Sequence, residues 1–97
     1  MLNSKQRASL RSQANGMRDH LIIGKGGLTS SVIDEINLAL YNHELIKISV
    51  LKNCESDIKE MAHMSAKKLF AEVVQVIGGK FVLYKLTEKE DFEHIQF

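Results

Sequence analysis

Apolar residues along this chain repeat with two alternating periods, and the alternation outlines the fold. Asn3 or Ser4 can cap a first helix running to about Gly16, with Ala8, Leu10, Ala14 and Met17 tending to one face. Leu21-Ile22-Ile23 is too short an apolar run for a helix, and it ends in glycine, as a buried strand does. Thr29 or Ser30 then caps the clearest helix, in which Val32, Ile33, Ile36, Ala39, Leu40 and His43 recur at helical spacing. From Leu45 to Leu51 the period drops to two: Ile46, Ile48 and Val50 alternate with Lys47 and Ser49, the pattern of a strand with one covered face. A third helix begins near Ser56 and turns Ile58, Met61, Ala62, Ser65 and Leu69 inward. Two strands follow, 72–77 and 80–85, joined by Gly78-Gly79, a two-residue hairpin signal. The order αβαβαββ predicts an α/β fold with a mixed four-stranded sheet packed by helices, because helical crossovers favour parallel neighbours and the final hairpin must be antiparallel.

Composition narrows the class. Ninety-seven residues, 44% hydrophobic and 26% charged, suit one folded domain with one core rather than a disordered chain. A single cysteine, Cys54, rules out an internal disulfide and favours a reducing, cytoplasmic setting. The N-terminal run Met1-Leu2-Asn3-Ser4-Lys5-Gln6-Arg7 lacks the apolar stretch of a signal peptide, and no window has the length of a membrane span. Neither a membrane nor a small-molecule substrate is predicted as a partner, and no enzyme constellation is present.

Net charge is only +1, but it is unevenly distributed. Residues 1–29 carry Lys5, Arg7, Arg11, Arg18 and Lys25 against Asp19 alone, whereas 86–97 carry Glu88, Glu90, Asp91 and Glu93 against Lys89. This asymmetry predicts a basic surface for a polyanion, plus an acidic, solvated C-terminal tail over 86–97 following a domain over 1–85.

The candidate chemistry lies in Gly24-Lys25-Gly26-Gly27, between a strand and a helix N-terminus. Unpaired N–H groups and the positive end of the helix dipole favour an anion there, glycine lets a phosphate approach the backbone, and Lys25 adds charge at the tip. Gly-x-x-Gly is the spacing with which KH-type domains clamp a nucleotide backbone. Two other phosphate loops do not fit. A P-loop needs G-x-x-x-x-G-K-[ST], and the dinucleotide pattern beginning at Gly24 meets Thr29 at its last position. By itself a Gly-x-x-Gly is more often a plain strand-to-helix turn. The basic first helix beside it shifts the reading toward a phosphate-tracking surface.

Other residues are read as structural. His20, His43, His63 and His94 show no metal-ligand spacing, so no metal or cofactor is predicted. Cys54 has no fitting base nearby in sequence, and Asp57 and Glu60 suit the first turn of a helix. Tyr41 and Tyr84 are assigned to the core rather than to base stacking, while Phe92 and Phe97 either dock back onto the domain or engage a partner.

Several stretches together resemble the CRM (chloroplast RNA splicing and ribosome maturation) domain, and especially its stand-alone bacterial members, the YhbY-like proteins. They are Leu2 to Arg7 with Leu10-Arg11, Ile23 to Thr29, Glu44 to Lys47, and Val74 to Gly78 with Val82 to Lys85. The resemblance implies a helix preceding a fold similar to the C-terminal domain of translation initiation factor three. It also implies a non-catalytic RNA-binding role in large ribosomal subunit precursors, with ribosomal RNA, and ribosomal proteins nearby, as partners. RNA contact is then expected from Lys5, Arg7, Arg11, Arg18, Gly24, Lys25, Gly26, Gly27, Thr29 and Lys85, the last standing where the family often has arginine. The rival reading is a protein-interaction adaptor, recruited through the tail or a sheet edge.

Overall fold

A computed structural model describes residues 2–97; Met1, where the predicted domain begins, lies outside the described residues. The elements are α1 (Ser4–Ala14), β1 (Leu21–Ile23), α2 (Ser30–His43), β2 (Leu45–Val50), α3 (Ile58–Leu69), β3 (Glu72–Ile77) and β4 (Lys80–Tyr84). Their order matches the sequence reading, with ends shifted by a residue or two. Asn3 is the N-cap of α1 and forms a reciprocal capping box with Gln6.

The four strands form one sheet in the order β1-β2-β4-β3. β1 runs parallel to β2, and β4 lies antiparallel to both β2 and β3. Side chains alternate across the sheet, so β2 and β4 feed two separate clusters. Ile46, Ile48, Phe81 and Leu83 point to one face and pack with Ile36 and Leu40 of α2 and Met61, Ala62 and Ala66 of α3. Leu45, Val82 and Tyr84 point to the other face, where Leu10 and Ala14 of α1 cover them together with Leu2 and Val74. The sequence led us to expect one covered face on β2. Both carry packed apolar residues, because α1 closes the Leu45 end of the face that Lys47 and Ser49 had marked as polar.

Two packing expectations are also corrected. Ala8 is exposed, since it stands two residues and therefore about 200° from Leu10 on the helix. Tyr41 is 48% exposed on the outer side of α2, next to the buried Leu40, whereas Tyr84 is in the core as expected.

The acidic segment after β4 is not a free, solvated extension. Glu44, fully buried between α2 and β2, accepts hydrogen bonds from Thr87 N–H (3.0 Å) and Ile95 N–H (3.0 Å) and contacts Nδ1 of His94. Gln13 reaches the Gln96 carbonyl at 2.8 Å, and Phe97 packs edge-on against Tyr84 with centroids 5.6 Å apart. Glu44 has a φ of 65°, a conformation that costs a residue with a β-carbon about 1–2 kcal/mol. Glycine would relieve that cost, but glycine has no carboxylate to hold the chain that returns over the domain.

Burial pushes the Glu44 carboxyl up, but the N–H donors of Ile95 and Thr87, with His94, outweigh it and hold the group below the ordinary glutamate value. A lowered folded-state value means that this stabilisation is complete above the ordinary value and is lost as pH falls through the lowered one. We therefore expect the amides of Thr87 and Ile95 to lose hydrogen-exchange protection in acid before the sheet does. Glu44→Ala should release them at neutral pH and cost about 1–3 kcal/mol in urea unfolding.

Candidate nucleic-acid interface

The glycine loop sits at one end of the sheet. Ile23 is opposite Val50, so the chain leaving β1 emerges at the C-terminal end of β2. The Val50 N–H donates to the Gly79 carbonyl at 2.7 Å, which brings the β3–β4 hairpin to the same end. Ligand sites in α/β sheets tend to form where strands end in this way.

Within the loop, Gly27 N–H donates to the Gly24 carbonyl at 3.1 Å and closes a tight turn. Thr29 N–H donates to the Gly27 carbonyl at 3.1 Å, and the Thr29 hydroxyl caps α2 by accepting from Val32 N–H at 3.2 Å. Among the described residues, the N–H groups of Gly24, Lys25, Gly26, Leu28, Ser30 and Ser31 find no acceptor in the protein. They are the donors left for an anion at the positive end of the α2 dipole.

The glycines differ in what they do. Gly27 is buried with φ +68°, and a Cβ there would lie 3.3 Å from Ser56 Oγ, so the fold itself requires glycine. Gly24 and Gly26 have ordinary room for a Cβ, the nearest atoms being 3.9 and 3.8 Å away. At those two positions the small residue keeps the backbone open to approach.

The predicted cations are divided between the two ends of the sheet. Lys25 is at the loop tip, whereas Arg18 is exposed three residues before β1, on the approach that Met17 and His20 hold against Lys47, at the opposite end of that strand from the loop. Lys5 and Arg7 are near the N-terminus of α1, whose Leu2 N–H donates to Glu72 at the start of β3. Glu72 is opposite Tyr84, and Tyr84 is opposite Leu45, so these residues and Lys85 belong to the other end, about 17 Å away along β2. Arg11 stands between the two groups on α1. Arg7 is already engaged: its Nε donates to the Val73 carbonyl at 3.2 Å and its guanidinium faces Glu72 at 3.5 Å. Lys85 lines a groove with Asp34, Leu38, Tyr41 and Leu86, away from the loop.

Two lysines that the sequence reading passed over belong to the loop end. Lys52 stands two residues past the end of β2, and Lys80 opens β4. Lys80 holds Asp19 through both carboxylate oxygens, at 2.8 and 3.0 Å, which neutralises the only acid of residues 1–29. Only the β2–β4 pairing brings Lys80 here, and no local pattern signals it. Glu55 is exposed on the β2–α3 connection, and Asp57 caps α3.

Lys47 fixes the approach to β1. Its Nζ donates to the Met17 carbonyl at 3.2 Å and its N–H to His20 Nδ1 at 3.1 Å, while His20 N–H returns a bond to the Lys47 carbonyl at 2.7 Å. Burial, then the neighbouring His43 ring 4.8 Å away, pushes the His20 pKa down and keeps the ring a neutral acceptor. Among the described residues, no cluster of three His, Cys, Asp or Glu side chains is placed to hold a metal, and no helix is long and apolar enough to cross a membrane.

The two kinds of glycine should respond differently to substitution. Gly27→Ala should lose about 1–2 kcal/mol in urea unfolding, because the left-handed backbone is costly with a β-carbon. Gly26→Ala should unfold near the parent midpoint.

Residues 2–85 match the model of the CRS1/YhbY (CRM) domain. A Bacillus subtilis protein named probable RNA-binding protein YqeI is 44% identical over 92% of this chain and 93% of its own. A Haemophilus influenzae protein named RNA-binding protein is 33% identical over 91% of this chain and 89% of its own. The solution structure of a Staphylococcus aureus protein, 40% identical, superposes with a TM-score of 0.79 over 94% of this chain and 95% of that one. With the sheet order, the glycine loop and this coverage in agreement, the chain belongs to the CRS1/YhbY (CRM) domain family.

Proposed function

We propose that this protein binds RNA without catalysing a reaction, gripping the phosphate backbone at the Gly24 to Gly27 loop. The observation that carries this reading is the set of unpaired N–H groups in the turn and at the start of α2, next to Lys25 at the loop tip, with the one acid of residues 1–29, Asp19, tied up by Lys80. Relatives of similar length carry the name RNA-binding protein, which supports the same class of partner. Contacts of this type position a nucleic acid without reading its sequence. The resemblance to YhbY-like members of the family leads us to propose ribosomal RNA in large-subunit precursors as the target, with ribosomal proteins as neighbours, in the cytoplasm.

Cations already used inside the fold contribute little. With Arg11, Arg18, Lys25 and Lys52 as the phosphate contacts, log K for a single strand should fall against log salt with a slope of about −3. Lys25→Glu should weaken binding roughly tenfold and flatten the slope by about 0.7. Titration of ribosomal RNA fragments at several salt concentrations checks both. Affinity indifferent to salt and to Lys25→Glu would remove the basis for the proposal.

One observation favours the adaptor reading as an alternative. Leu38, Tyr41 and Leu86 are exposed around an open groove of about 550 Å³ between α2 and the segment after β4. Removing the chain after Lys85 is a poor test of it, because that cut also strips Glu44 of its partners. Leu38→Ser with Tyr41→Ser is cleaner. If ribosome association is lost while RNA affinity is intact, the adaptor reading is favoured.

A further inference from the structure

The face of the sheet that α1 covers is only partly covered. Leu45, Val82, Tyr84 and Val74 lie beneath α1, but the helix ends at Ala14 and leaves the loop end of that face open. Alternation along β1 puts Ile23 into the core under α2 and α3, and therefore Ile22 on the open side. On β2, Ser49 is opposite Ile22, and Leu51 follows on the same face. The Leu51 N–H donates to the Ile23 carbonyl at 2.9 Å, extending the pairing past the strand end, and a Cβ on Gly24 would lie 3.9 Å from Leu51 Cδ1. Ile22 and Leu51 thus flank the first glycine of the phosphate loop. They are 62% and 47% exposed.

Two aliphatic side chains make too little apolar surface for a protein interface, which needs about 800 Å² from each partner. They suit one flat ring. The surroundings are those of a polyanion site: Lys25 at the loop tip, Lys52 next to Leu51, and Asp19 neutralised by Lys80. A base stacked inside a duplex has both faces covered by its neighbours, whereas an unpaired base has a face to spare.

We propose that Ile22 and Leu51 form an apolar shelf for the base of the nucleotide whose phosphate the glycine loop holds, so that the site selects unpaired RNA. This inference rests on the RNA-binding reading of the loop. Contact with the flat face of a base, rather than with its hydrogen-bonding edge, makes the shelf tolerant of base identity. Specificity for single strands then arises beside the phosphate clamp itself.

Fluorescence anisotropy with a labelled unstructured 12-mer RNA and with a blunt RNA duplex of equal length, at one ionic strength, tests it. The parent protein should prefer the single strand. Ile22→Ser with Leu51→Ser should weaken single-strand binding about 5–10-fold and leave duplex binding unchanged. Ile77→Ser is the control, since Ile77 is 61% exposed on the same face but three strands away, about 14 Å off. It should change nothing. Ile22→Phe, which adds a ring for stacking, should tighten single-strand binding.

A parent protein that favours duplex, or a double variant that keeps its single-strand affinity or loses both RNAs equally, overturns the shelf. Lys25→Glu separates the two proposals. If it still weakens binding roughly tenfold when the shelf variants do not, only the shelf is wrong. If it too is without effect, the RNA reading itself is at fault.

Discussion

The pairing of β2 with β4 underlies the rest of the structure. From Leu45 opposite Tyr84 to Ser49 opposite Lys80, these strands run antiparallel through the middle of the sheet, and their alternate side chains supply the centre of both apolar clusters. Each helix layer finds a surface to bury only because that pair exists. α2 and α3 close over Ile46, Ile48, Phe81 and Leu83, and α1 closes over Leu45, Val82 and Tyr84. The same pairing joins residues far apart in sequence at each end of the sheet, and so determines what each end can do.

The two ends are used differently. At the Leu45 and Tyr84 end, a buried carboxylate gathers the returning chain, and the apolar surface near α1 is sealed by Ile95 and Phe97. At the Val50 and Lys80 end nothing comparable closes the sheet. The turn after Ile23 exposes backbone donors, and the open face keeps Ile22 and Leu51 in solvent. Closing the α1 face at one end with the chain's own tail leaves the exposed backbone donors and the open part of that face at the other.

Electrostatics follows the same division. A count of basic residues over 1–29 overstates the free charge, since Arg7 is bound to β3 and the Glu72 carboxylate. It also misses that Lys80 removes the charge of Asp19 from the loop end. What remains there is modest in number but local. Charge near an exposed set of N–H donors is more effective than the same charge spread along a helix, because screening shortens its reach to about 8–10 Å.

The sequence by itself determined the seven elements, the N-caps of α1 and α2 to within a residue and the position of the glycine turn, because each rests on local physics: periodicity, side-chain capping and the backbone freedom of glycine. Asn3, Thr29, Gly27 and Gly78 all act within a few residues of themselves. It could not determine which cations share a surface, why Glu44 tolerates a positive φ, or that the acidic segment folds back. Those depend on contacts between positions 43 to 61 residues apart, such as Glu44 with Thr87 and Asp19 with Lys80. Only tertiary structure decided them, because strand pairing and burial, rather than local pattern, choose which distant residues meet.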